Sequence, residues 1–459
     1  MKGGAAEFVF SVPYEMAAVR PLRQTTREER RAALGAACYN TELIAPAAIY
    51  VDLKTDSGVS AFSTQQLAKL LGLGPLESGL EMVPEGNAAF SSLSEKFKTY
   101  FGFPHVLAVS QGRAAERLWT KLHVKPGSIV PGNMLFPSTR FHIESNGGKV
   151  LDVITDAAHD LTSVAAFKGD IDLGKLAAAL QEHDGKVACI YVELCVNACG
   201  GHPVSLRNLK AVKDAANASN VPLFLDACRI LENSYLIKER EPGYENHSVA
   251  QIVRETCELA DGCTMSALKD FAVAAGGFIA TRDEAAYHKA YIQSFLDGVQ
   301  PASAIVAALG DAFDEVFASD AWMASRVEQV HYLWQRLNDT LPLLQPAGGH
   351  GVFIDMARFF GHFPRENFPA EALAAFVFET SGIRLTKGPP PAPSQAARGV
   401  ELLRMAIPAR RYVQGHMDDT AAALLYAYAH KDKIKGLRRI EQAGRAKYAP
   451  ALFAPLEDC

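Results

Sequence analysis

Four segments of this chain set polar or charged side chains directly after short apolar runs. HVLAV is followed by Ser110-Gln111-Gly112-Arg113 and the helical AAERLWTKL, and VACIYVEL by Asn197 and the turn Gly200-Gly201. VPLFLDACR closes on Asp226 and Arg229, and ADGCTMSALKD places Ser266 and Lys269 in a turn before Gly276-Gly277. Amide groups at a helix start, a glycine that permits close approach and an arginine make a cradle for an anion. A carboxylate at the end of a buried strand is costly unless it meets a cation or a protonated nitrogen. A lysine in a turn offers an amine that can act as nucleophile or base. Singly, each has a plain reading: Asp226 as a helix cap, Lys269 as a surface lysine, Arg113 as a salt-bridge partner. In this order, with Lys 43 residues after Asp (269 − 226), they make an anion clamp, a carboxylate and an amine at successive strand ends.

The elements that must position them alternate. HVLAVS, SIVPGN, KVLDVI, VACIYVEL, VPLFLDA and GGFIATR read as strands, and LRNLKAVKDAANAS and SVAQIVRETCELA carry apolar residues at helical spacing. Near-continuous apolar strands separated by helices predict a mainly parallel sheet covered on both faces, with ligands at the carboxyl ends of the strands. After Asp311 long helices give way to GGHGVFIDMARF, a proline-rich link (GPPPAPS), VELLRMAIP and a helical tail, which predicts a second, α+β domain. The expected division is an arm over 1–20, a small domain from 21–56 with 312–459, and a large domain over 57–311. The link reads as a surface loop or a lid, and the basic stretch KDKIKGLRRIEQAGRAK, broken by Asp432 and Glu441, as a solvated helix. GLGPLES is no dinucleotide fingerprint, since Glu77 stands at the third glycine position.

The bulk properties narrow the function. With 46 basic and 51 acidic residues in 459, the net charge of −5 gives no general reason to bind nucleic acid or an anionic membrane. Apolar stretches such as Phe271–Ala280 fall short of the roughly 20 residues that span a bilayer, and the N-terminus lacks the pattern of a secretory signal, so a cytoplasmic protein is expected. Eight cysteines form no CxxC pair, which disfavours a disulfide framework or a zinc ribbon.

An anion clamp, then Asp, then Lys at strand ends is the layout of an aminotransferase-like, fold type I pyridoxal phosphate enzyme, with a seven-stranded type of sheet. The chain further resembles the tryptophanase and tyrosine phenol-lyase family of β-eliminating lyases, closer to the phenol-lyase branch. TDSG (Thr55–Gly58), SQGRAAE, PGNMLFPSTRFH, FKGDIDL, NACGGHPVS, DACRILENSYLIKE, ADGCTMSALKD, GGHGVFID and LLRMAIPARRY carry the likeness, in family order, from about residue 20 to 448. The resemblance implies that Lys269 carries the Schiff base and Asp226 holds the pyridine nitrogen protonated. It assigns Asn197 and Arg229 to the cofactor's phenolic oxygen, Phe136 to its ring face, and Gln111, Gly112, Arg113 and Ser266 to its phosphate. Arg404, with the Thr55/Ser57 turn, would take the substrate's α-carboxylate. A small-molecule amino-acid substrate and a homo-oligomer, dimer or tetramer, are implied as well; no resident metal is expected, because the family's potassium-ligating positions are changed in this chain.

The departures fall on the other half of the site. A family tyrosine that protonates the departing ring corresponds to Pro84, a second one from the neighbouring subunit to about Ala302, and the residue after Phe136, which addresses the leaving group, is Pro137. Two potassium-ligating positions correspond to about Met82 and Ala274, and the lysine before the Schiff-base lysine is Leu268. Lys387 matches an arginine used near the ring, which suggests an anionic side chain or leaving group, and Tyr448 completes the candidate substrate pocket. The expected reaction is α-proton abstraction by Lys269 and β-elimination from an L-amino acid other than tyrosine or tryptophan. γ-Elimination, replacement, transamination and a catalytically silent scaffold are the alternatives.

Overall fold

The structure is a computed structural model that describes residues 12–15, 19–71, 88–388, 391–441 and 450–456. In chain order its strands are β1 (Val51–Asp52), β2 (His105–Val109), β3 (Ile129–Gly132), β4 (Lys149–Asp152), β5 (Ile190–Glu193), β6 (Leu223–Asp226), β7 (Gly262–Ser266) and β8 (Gly277–Thr281). They continue with β9 (Gly351–Asp355), β10 (Ile383–Arg384), β11 (Thr386–Lys387), β12 (Leu402–Ala406), β13 (Leu437–Ile440) and β14 (Leu452–Pro455).

β2 to β8 form one seven-stranded sheet in the order β2-β8-β7-β6-β5-β3-β4, in which only β8 runs against the others. Six of these strands lie where the apolar runs predict them. The seventh, β7 (GCTMS), was expected as part of a turn, because glycine, serine and cysteine are poor strand signals. Its neighbours explain it: a Cβ at Gly262 would sit 2.6 Å from the Ala280 carbonyl and 2.7 Å from the Phe224 ring, so glycine lets three strands close up. Ser266 is therefore a strand end, not a loop residue.

Alternation along the strands divides the core in two. Leu107, Val109, Tyr191, Phe224 and Ile279 pack with Trp119 and Ile143 on one face, while Ala108, Val192, Leu225, Met265 and Phe278 pack with Leu209, Ile252 and Phe313 on the other. Parallel strands buried on both faces need this helical cover. A second core joins Val51 and Leu53 to Leu333, Ile354, Leu373, Met405 and Leu424, around the antiparallel sheet β11-β12-β9. The division expected at 311/312 falls inside a continuous helix, Ser303–Ala318, whose Val306, Leu309, Phe313 and Val316 all pack with the large sheet.

Two connections depart from the sequence reading. Over its described residues the basic stretch is not one continuous helix: a 3₁₀ turn, Lys431–Lys433, is followed by Gly436, which leads into β13, and this strand pairs with β14 and holds Arg438 and Arg439 exposed beside buried Leu437. The proline-rich link ends in one helical turn, Pro393–Ala396, whose Gln395 is buried and donates to the Ala198 carbonyl at 2.7 Å. The seven described cysteines are free. No helix among the described residues is long and apolar enough to cross a membrane.

Candidate active site

Because β2, β3, β5, β6 and β7 run in parallel, their carboxyl ends meet on one side of the sheet and bring the predicted residues together. At the end of β2, Gln111 caps the helix Gly112–His123. A Cβ on Gly112 would lie 2.5 Å from the Ser266 Cβ, so only glycine lets this helix start against the end of β7. Gln111 and Arg113 are exposed, and Arg113 forms no ion pair among the described residues. A helix start, a glycine cradle and an unneutralised guanidinium suit a dianionic phosphate.

Asp226 ends β6 with 5% exposure, and its Oδ1 accepts the Cys228 amide at 3.0 Å. It forms no ion pair among the described residues, so this buried carboxylate has room for a cationic partner. Lys269 follows β7 by three residues, half-buried. Burial works against its ammonium, but Cys228 and Asp226 outweigh burial and Arg229, and its pKa is raised overall. The lysine loop is anchored from below, where Phe271 is fully buried and stacks on Phe313 with ring centroids 4.4 Å apart.

Asn197 opens the turn after β5. Its Oδ1 accepts from Arg404 Nη1 at 3.2 Å and faces His350 Nε2 at 3.1 Å, while its Nδ2 is buried and unpartnered among the described residues. Burial holds the His350 pKa down at about 4, so its neutral ring has one proton to place, at Nδ1 toward Glu232 (2.9 Å) or at Nε2 toward Asn197 Oδ1 (3.1 Å). Nδ2 is the donor left to face a ligand.

Arg229 is held by carboxylates. Its two terminal nitrogens go to Asp56 at 2.6 and 3.0 Å, with Glu232 at 3.4 Å, and Arg326 adds a 2.9 Å bond to the same Asp56. Against the cost of burial, Arg229 and then Arg326 hold the Asp56 carboxyl well below the usual carboxylate range. Arg229 thus fastens the segment after β1 to the large sheet through its terminal nitrogens.

Arg404, in the middle of β12, also bonds the Lys54 carbonyl at 3.2 Å, and its buried Nε has no partner among the described residues. Thr55 Oγ1 accepts the Ser57 amide at 3.1 Å, fixing the turn beside it. Phe136 precedes the helix Pro137–Ser145, which Pro137 starts. Lys387 is not brought to this group: β11 pairs Thr386 with Arg404, so Lys387 points to the opposite face, where Glu371 at 3.2 Å and Glu401 at 3.5 Å hold it. Ala302 is an exposed cap of the helix Ser303–Ala318. Pro84, Met82 and Tyr448 lie outside the described residues. No group of three or more metal-ligating side chains occurs among the described residues.

The sequence reading missed Asp56, Glu116, Glu193, Glu232, Arg326 and His350. Asp56 lay inside TDSG and His350 inside GGHG, and glycines flanking buried polar groups were the available signal: Cβ atoms at Gly201 and Gly349 would strike His350 and Glu232 at 2.5 and 2.4 Å.

The comparisons with known proteins show the family and the fold. The model of the beta-eliminating lyase family matches residues 52–423. A tyrosine phenol-lyase of Symbiobacterium thermophilum is 38% identical over 97% of this chain and 98% of its own, and one of Nostoc punctiforme 37% identical over 96% of each. Among solved structures, an aromatic aminotransferase from Pyrococcus horikoshii covers 89% of this chain and 100% of its own (TM-score 0.61, 14% identity). A threonine aldolase from Leishmania major covers 82% and 99% (TM-score 0.60, 12% identity). At such identities the structures show a shared fold alone, that of fold type I pyridoxal phosphate enzymes. The chain belongs to the beta-eliminating lyase family, on the branch of the tyrosine phenol-lyases. It is an enzyme of the pyridoxal-phosphate-dependent lyase class.

Proposed function

We propose that this enzyme removes the α-proton of an L-amino acid and expels its β-substituent, using pyridoxal phosphate held by the residues above. The observation that carries the reading is Asp226, a buried carboxylate with no ion pair among the described residues, at the strand end next to Lys269 and the Gly112 cradle. When bound, the cofactor supplies an aldehyde for the amino group and a protonated ring that accepts the electron pair left on the α-carbon. Asp226 holds the proton at the ring nitrogen, and Asn197 Nδ2 donates to the ring oxygen. The helix start at Gly112, with Arg113 and Ser266, takes the phosphate, and Phe136 covers the ring. Arg404 and the Thr55/Ser57 turn orient the substrate carboxylate, which aims the α-hydrogen at the Lys269 amine.

Leaving-group chemistry sets the substrate. Pro137, Leu268 and Ala302 carry no side-chain proton to give, which favours a β-substituent that departs as a stable anion, such as a thiolate or halide, over one that requires ring protonation. Incubation in deuterated water with cysteine S-conjugates, β-chloroalanine, tyrosine and tryptophan, read by mass spectrometry, tests this. Exchange and pyruvate from the first two, lost in Lys269→Ala together with the visible absorbance of bound cofactor, are expected. Turnover of tyrosine to phenol at a comparable rate would move the substrate to that of its named relatives. Absence of α-exchange with every amino acid would overturn the catalytic reading.

A further inference from the structure

Glu193 ends β5 in register with Asp226 at the end of β6. Partners in adjacent parallel strands, about 4.8 Å apart, point to the same face of the sheet, so two carboxyls share the floor of the site. Both residues are 5% exposed. The strand end is rigid, because the Asn133 side chain accepts the Glu193 amide at 2.8 Å and donates to its carbonyl at 3.0 Å. Glu193 Oε1 accepts the Asn197 amide at 2.9 Å, whereas Oε2 is buried with no hydrogen bond among the described residues. Glu193 forms no ion pair among them either.

A second negative charge is costly there. Burial and then Asp226 push the Glu193 carboxyl up to about 8, against the pull of the Asn197 and Phe136 amides and of Arg229. The other titratable groups that face it are few. Arg229 approaches from the start of the helix Ile230–Arg240 and Cys199 from the turn after β5, and Glu116, on the helix Gly112–His123, faces Asp226 and is itself pushed up to about 7 by burial and Asp226.

We propose that Glu193 is a positioning residue that acts through Asp226 and Asn197: it stands as the neutral acid beside the cofactor-binding carboxylate and releases its proton to solvent when a protonated ring nitrogen is set against Asp226. The cation offsets the repulsion between the two carboxylates, and the second negative charge in turn strengthens the hold on the ring proton. Meanwhile Oε1 keeps the Asn197 turn in place whichever form is present. This rests on the cofactor reading above.

The test resolves the parent, Glu193→Gln and Glu116→Gln of cofactor, then titrates each with pyridoxal phosphate between about pH 6.5 and 8.5. Bound-cofactor absorbance gives affinity, and calorimetry in two buffers of different ionisation enthalpy counts protons. Glutamine keeps an acceptor for the Asn197 amide but cannot ionise, so its affinity at the low end of the range should stay within about threefold of the parent. The parent and Glu116→Gln should release up to about one more proton per site than Glu193→Gln. Their affinity should gain up to about tenfold more over the range. Equal proton release by the parent and Glu193→Gln, or a loss of the extra proton in Glu116→Gln instead, overturns the inference while leaving the functional reading standing. A parent that binds no cofactor overturns both.

Discussion

The Leu268 carbonyl accepts the Gly58 amide at 3.1 Å, which ties the residue next to the candidate Schiff-base lysine to the turn beside Arg404. Gly58 has φ +70°, and a Cβ there would lie 2.9 Å from Leu268 Cδ2. Two separate costs therefore fall on any side chain at 58: a left-handed backbone, about 1–2 kcal/mol for an L residue, and a clash with Leu268. Gly58→Ala should lower stability and reduce kcat, because the clash pushes on the lysine loop. Adding Leu268→Ala should recover the clash but not the backbone cost. Thermal melts and single-turnover rates of the three variants check this; a double variant no better than Gly58→Ala would mean that the two sites are uncoupled.

Arg404→Lys should raise KM for the amino acid far more than it lowers kcat. An ammonium cannot present two parallel donors to a carboxylate, and it also drops either the Asn197 or the Lys54 contact that now holds Arg404 in place. The loss should be about 1.5–3 kcal/mol, the scale of a hydrogen bond to a charged group. Steady-state kinetics on any turned-over amino acid read it, and an unchanged KM removes Arg404 from the carboxylate.

How far the sequence reached differs between the two halves of this site. Lys269, Asp226, Asn197 and Gly112 were legible because each follows an apolar run and strand ends collect ligands. β7 was hidden by its small residues, and Glu193 by its setting in an apolar run, where only the register with Asp226 shows what it faces. Arg229 and Lys387 could be recognised as cations at the right places in the chain. Their carboxylate partners, Asp56 and Glu371 with Glu401, are 173, 16 and 14 positions away, so pairing alone decided which way each points.

His202 is completely buried, and burial, with Lys168 and Arg240 nearby, pushes its pKa well below 6.5. In the fold it stays neutral, whereas the unfolded chain protonates it below about pH 6.5. The unfolded state then binds more protons, so stability that is fully present above that pH is lost as pH falls. His202→Gln, neutral at every pH, should show a shallower fall of Tm between about pH 7 and 5 than the parent. Parallel curves for the two proteins would assign the acid sensitivity to other groups.

The last prediction concerns Lys387, which sequence likeness places near a substrate's charge and the structure places elsewhere. Its ammonium is shared by Glu371 and Glu401, whose side chains are 18% and 9% exposed against 39% for the lysine. Burial raises the Glu371 pKa, and Lys387 opposes the rise. Lys387→Met would leave two poorly solvated acids facing each other, at a cost of about 1–3 kcal/mol given the partial exposure of the pair. The loss should shrink as pH falls and Glu371 takes up a proton, since a neutral acid no longer requires the cation. Substrate preference should not move, because Lys387 and Arg404 point to opposite faces of the same small sheet. Denaturant unfolding at two pH values measures the first effect, and kcat/KM on matched acidic and neutral amino acids the second. A selective loss on acidic substrates with unchanged stability would return Lys387 to the pocket.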